Sequence, residues 1–213
     1  MDIFSPEGLT ILIKTVGYFG LFGITFAESG LFLGFFLPGD SLIFTAGVLA
    51  SQDFLNIWML IAILFLAAIL GDNFGYSFGR RVGPKIFSRE DSLFFHKKNL
   101  VRAKAFYQKH GPKALILARF MPVIRTFAPI LAGVGTMEYR KFFFYNLIGG
   151  ALWTVSLPLA GYYLGQAIPN IDKYLLPIIL GIIVLSFMPS VIHLIKTGEW
   201  RTIIKQLRKI TKK

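Results

Sequence analysis

A chain of 213 residues that is 54% hydrophobic and 16% charged, with a mean hydropathy of +0.62, is too apolar for a mostly water-facing protein, in which about a quarter of residues are charged. The net charge of +12 invites a nucleic-acid reading, but ten of the 23 basic residues fall in 80–113 and seven in 196–213, and charge confined between apolar runs is a membrane-topology pattern. The absence of cysteine removes disulfides, thiolate nucleophiles and cysteine-based metal sites, and leaves the redox compartment unread.

The N-terminus carries Asp2 and Glu7 and lacks the basic region and small-residue site of a secretory signal, so no cleavage is expected. Segment 8–27 is expected to cross a membrane, with Lys14 snorkelling near one end. The stretch 26–52 is apolar but broken by Pro38-Gly39, and it holds Glu28 and Asp40. Segment 54–71 has no charge and is long enough to span. In the basic block, Leu93, Phe94, Leu100, Val101 and Tyr107 recur at heptad spacing among lysines and arginines, as in a helix lying on a membrane surface. The stretch 112–138 mirrors 26–52: Pro122 and Pro129 break it, and Arg119 and Arg125 are the charges in its interior. Segments 142–171 and 174–195 are again charge-free spans, and Trp200, Ile203, Ile204, Leu207 and Ile210 give the basic tail an apolar face.

Proline stops a helix, and a charge in mid-membrane costs about 2.5–3.5 kcal/mol even on the lenient insertion scale. Each broken stretch is therefore drawn as two half-helices turning back, a re-entrant hairpin. Placing the basic block and tail in the cytoplasm sends 54–79 inward, 142–166 outward and 174–195 inward, with both termini cytoplasmic. The first hairpin then opens outward and the second inward.

Short motifs repeat in the same order. Phe36-Leu37-Pro38, Ala46-Gly47-Val48 and Gly75-Tyr76-x-x-Gly79 return as Phe120-Met121-Pro122, Ala132-Gly133-Val134 and Gly161-Tyr162-x-x-Gly165, at offsets of 84, 86 and 86. The expected fold is an all-α, multi-pass membrane protein with two re-entrant hairpins in an inverted-topology repeat, the plan of many secondary transporters. It is one transmembrane domain over 1–195, with repeat 1 at 26–81, a cytoplasmic linker at 82–111, repeat 2 at 112–166 and a last span at 174–195; the tail is 196–213.

The charges within the hairpins are the candidate site. On one helix Arg119 and Arg125 would diverge, since six residues turn about 240°, whereas a break at Pro122 lets them converge. Arginine keeps its charge and grips phosphate or carboxylate with two prongs, so both are candidate substrate-binding residues. Glu28 and Asp40 are candidates for proton coupling or ion pairing. The plainer alternatives are that Asp40 caps the half-helix after Pro38-Gly39 and that the arginines merely pair with the acids. Asp72 and Tyr76 are secondary candidates, for which capping, packing or interfacial roles serve as well. His96, His110 and His193 are scattered and take no role.

Glu28, Phe36-Leu37-Pro38-Gly39-Asp40, Gly71-Asp72-x-x-Gly75-Tyr76 through Gly79-Arg80, and Arg119-Phe120-Met121-Pro122 with Arg125 together resemble the DedA family, also called the VTT or SNARE-associated Golgi protein family, over roughly 20–170. The resemblance implies a bacterial inner-membrane protein linked to the proton-motive force, with required acids and arginines matching Glu28, Asp40, Arg119 and Arg125. It also implies lipid handling, since some members are thought to return undecaprenyl phosphate across the membrane and eukaryotic relatives scramble phospholipids.

The expected function is accordingly a flippase for a phosphate-bearing lipid, with undecaprenyl phosphate or a phospholipid headgroup as cargo and the proton as coupling ion. A phospholipid scramblase, a small-solute/proton antiporter and a membrane assembly factor are the alternatives. Lys113 and Arg119 superficially match a lipid-phosphatase motif, but its remaining elements are missing, as are Gly-x-Ser-x-Gly and His-Glu-x-x-His. An enzyme, a cofactor, a metal and a nucleic-acid partner are not expected; a homo-oligomer is compatible with the sequence.

Overall fold

A computed structural model describes residues 6–31, 39–86, 111–168, 171–178 and 180–181. Among them the chain is helical: α1 (Pro6–Gly30), α2 (Gly39–Ser51), α3 (Ile57–Ile86), α4 (Ala114–Ala118), α5 (Pro122–Val134) and α6 (Tyr139–Ala167), followed by a 3-10 turn at Ile171–Tyr174. Gly8–Gly30, Ile57–Val82 and Tyr139–Ala167 are long and apolar enough to cross a membrane. The expected last span 174–195, the amphipathic stretches of the basic block and the tail, and Pro38 fall wholly or largely outside the described residues.

The long helices α3 and α6 form an antiparallel pair. Ile69 lies against Gly150, the Tyr76 ring stacks on Phe142 at 4.3 Å, and the Tyr139 hydroxyl donates to Asn73 Oδ1 at 2.9 Å. α2 fills one end of this pair, in an apolar core built on Leu42, Ile43, Phe44, Leu60, Leu64 and Trp153. α5 fills the other, around Tyr76, Leu115, Ala128, Ala132 and Phe142. Large apolar side chains also point outward, with Phe19 93% and Trp58 71% exposed, while Glu28, Asp72, Arg119 and Arg125 are buried. The outer surface is thus apolar, unlike that of a water-soluble domain, while four charged side chains are kept inside, as lipid requires.

Both proline-bearing stretches are broken, as expected. α1 ends at Gly30 and α2 starts at Gly39. In the second stretch α4 ends at Ala118, and Met121 is extended with φ −121° and ψ 102°. Pro122 then opens α5, because the residue before a proline avoids the helical region while proline suits the first helical position.

The first segment differs from its expectation. α1 is interrupted at Gly17, with φ 56° and ψ −152°, and its later part runs in the same direction as α3. The Tyr18 hydroxyl accepts from the Asn56 N–H at 2.7 Å, Lys14 Nζ stands 5.5 Å from the centre of the Phe54 ring, and Gly30 meets Gly71. Residues 18–30 therefore run alongside α3 in the same direction, whereas 8–27 is expected from the sequence to run opposite to 54–79. Gly17→Ala is expected to lower stability by about 1–3 kcal/mol, since this backbone region is strained for residues with a Cβ; the unfolding midpoint of detergent-solubilised protein measures it.

Candidate functional site

The breaks place the charges. Glu28 is in the last turn of α1 and Asp40 in the first turn of α2; Arg119 follows α4 and Arg125 is in the first turn of α5. All four ends converge between the two apolar cores, against the middle of α3 and α6. Arg125 bridges two acids: Nη2 donates to Glu28 Oε1, and Nη1 donates to Asp40 Oδ1 at 2.6 Å. Its guanidinium carbon lies 4.3 Å from the centre of the Trp153 ring, whose Nε1 donates to the same Asp40 oxygen at 3.0 Å. Arg119 Nη2 donates to Asp72 Oδ2 and to Asn146 Oδ1.

Every main candidate from the sequence is in this cluster, and Asp72 enters it as a direct partner of Arg119. That Asp40 oxygen accepts from two tertiary partners, Arg125 and Trp153. Tyr76 is used elsewhere: its hydroxyl donates to the Met137 carbonyl at 2.5 Å and accepts from Arg80 Nη1 at 3.2 Å, tying the end of α3 to the end of α5. Asn146 and Trp153 were not foreseen. The signal for Asn146 was present, since a side-chain amide inside a charge-free span costs free energy unless it finds a partner.

Three carboxylates face two guanidiniums, so the fully ionised cluster carries a net charge of −1. Several buried atoms have no hydrogen-bond partner: Arg119 Nη1, Arg125 Nε and Asn146 Nδ2 as donors, and Glu28 Oε2 and Asp72 Oδ1 as acceptors. Such groups cost about 1–3 kcal/mol each, more when charged, and natural sequences seldom keep them without use. A cavity of about 10 Å³ is lined by Asp72, Arg119, Arg125, Phe142 and Asn146, and not by Glu28. That is roughly room for one water. The site is closed, with each arginine held by carboxylates and retaining one unused nitrogen, Nη1 of Arg119 and Nε of Arg125. Among the described residues no three histidine, aspartate or glutamate side chains are placed to hold a metal ion together, the three carboxylates here being turned to the arginines.

The VTT domain family model matches residues 37–163. The chain is 48% identical over 178 residues to Protein DedA of Escherichia coli (strain K12), covering 83% of this chain and 81% of that protein. It is 43% identical over 169 residues to an uncharacterized membrane protein of Mycobacterium leprae (strain TN), covering 79% and 75%. It is 36% identical over 162 residues to Inner membrane protein YghB of Escherichia coli (strain K12), covering 76% and 74%. No solved structure matches the chain.

Proposed function

The chain belongs to the VTT-domain family of DedA-type membrane proteins, and from that premise we propose that it is a proton-coupled transporter moving a phosphate-bearing lipid, such as undecaprenyl phosphate, across the cytoplasmic membrane. The observation that carries this reading is the buried meeting of two arginines and two carboxylates at helix breaks with a third carboxylate, Asp72 on α3, together with unused guanidinium N–H groups and a small cavity lined by both arginines. A structural ion pair needs no such surplus of donors.

In this reading the carboxylates occupy the arginine forks in the closed state. Protonating one of them removes its hold on a guanidinium, and a phosphate oxygen takes its place; deprotonation reverses the exchange and expels the headgroup. The lipid tail stays in the bilayer, so only the headgroup needs a polar path. The arms 18–30 with Gly39–Ser51, and Ala114–Ala118 with Pro122–Val134, are the two re-entrant hairpins of an inverted repeat, the first opening outward and the second to the cytoplasm. Lys14 and Tyr18, beside Phe54 and Asn56, then lie at the outer end of α3, so a cytoplasmic N-terminus forms no part of this reading.

The test is headgroup movement in liposomes containing only this protein, comparing polyprenyl phosphate, phosphatidylethanolamine and phosphatidylglycerol with and without a pH gradient. Polyprenyl phosphate is expected to move fastest and to respond to the gradient. Equal, gradient-independent movement of all three would mean scrambling, and no movement would leave an assembly role. Asp40→Asn keeps a good capping side chain, yet it is expected to abolish the gradient response, as is Glu28→Gln. Parental response in both amides would remove the acids from coupling.

A further inference from the structure

The two short helices cross the long helices in equivalent ways, but one helical turn apart. α2 crosses α6 where a Cβ on Gly47 would strike the Pro158 carbonyl and one on Gly161 would strike the Phe44 carbonyl. α5 crosses α3 where a Cβ on Gly133 would strike the Tyr76 carbonyl and one on Gly79 would strike the Ile130 carbonyl. The 86-residue offset of the repeat equates Gly47 with Gly133 and Phe44 with Ile130. It also equates Pro158 with Asp72, Tyr76 with Tyr162, Gly161 with Gly75, and Gly79 with Gly165. Gly47 thus sits against position 158, while the counterpart of its partner in the other half is 162. The Phe44 carbonyl sits against 161, while the counterpart of its partner is 165. Both comparisons give four residues in the same sense, or about 6 Å along a helix.

We propose that these are two registers of one device, exchanged between the halves when the protein changes state: α5 moves one turn along α3 towards Gly75, as α2 moves one turn along α6 towards Gly165. Backbones packed through glycine leave few side chains to cross, and interfaces of this kind hold discrete, one-turn alternatives. The Gly-Tyr-x-x-Gly motifs supply a glycine for each register. The structure uses Gly79 and Gly161 against backbone carbonyls. At Gly75 a Cβ would meet Ile130 Cγ1 at 3.4 Å, the Gly30 carbonyl at 3.5 Å and Pro129 Cβ at 3.6 Å, all ordinary contacts, and at Gly165 it would meet chiefly the Ser51 side chain. Nothing in the present register requires glycine at position 75; the second register does, because the Ile130 carbonyl then faces it.

The device rests on the transport reading for its purpose, though not for its geometry. With no cysteine in the chain, spin labels on Arg81→Cys and Ile124→Cys, both exposed, report the distance between α3 and α5 in proteoliposomes. The expected distribution has two populations differing by about 6 Å. Gly75→Ala, which suits the present register, should leave the unfolding midpoint at or above the parent's, keep only the shorter distance and stop translocation. Gly79→Ala should instead lower the midpoint. A single population in the parent, loss of stability in Gly75→Ala equal to that in Gly79→Ala, or parental distances in Gly75→Ala would overturn the proposal. Two populations without movement of any headgroup would leave the device standing and sink the transport reading alone.

Discussion

On the transport reading, Arg125→Lys is expected to lose headgroup translocation by roughly 10- to 100-fold while the protein remains folded. The guanidinium holds Glu28 and Asp40 through two different nitrogens and lies over the Trp153 ring, and a single ammonium cannot reproduce that fork and plane. One lost charge-assisted hydrogen bond, about 1.5–3 kcal/mol, corresponds to a factor of this size. Arg125→Ala goes further, because it leaves two carboxylates without their cation, and removing one partner of a buried pair costs about 3–5 kcal/mol. It should reduce the yield of folded protein, which size-exclusion chromatography of the solubilised variant would show. Parental translocation by the lysine variant would mean that position 125 supplies only charge balance.

The second large effect is at the pair buried on α3. Asp72→Ala strands the Arg119 guanidinium, and Arg119→Ala strands the Asp72 carboxylate; each should lower stability by about 3–5 kcal/mol. The double variant removes both charges together, so it should recover much of that loss, a coupling readable from the unfolding midpoints of all four proteins. Its transport should stay absent, since the unused Arg119 Nη1 is gone with the side chain. A double variant that transports like the parent would reduce this pair to a structural ion bridge and leave Arg125 as the headgroup residue.

The same residues show what could be foreseen. Arg119, Arg125, Glu28 and Asp40 stand out in sequence because a charge inside an apolar, proline-broken stretch has few explanations. Asp72 is more ambiguous: about five turns of apolar sequence lie on one side and a basic block begins about two turns away on the other, so position alone cannot separate a cap from a buried partner. Asn146 and Trp153 sit in a span whose charge-free composition draws attention away from them. The interruption at Gly17 has no proline to mark it. Glycine recurs along this apolar segment, at 17, 20 and 23, and only one of the three, Gly17, takes a positive φ.

By itself the sequence determined the solvent, the two long spans that became α3 and α6, and the break before Pro122. These are local properties: hydropathy over about twenty residues measures transfer into lipid, and a proline acts on its own turn of helix. Only the tertiary structure decided which charges meet. The Arg125 contacts join positions 97 and 85 residues apart, and the Trp153 contact with Asp40 spans 113. It also decided the direction of residues 18–30 and the register of each crossing. Those depend on which face of one helix fits the backbone of another, and a shift of one turn preserves every local pattern while changing every contact.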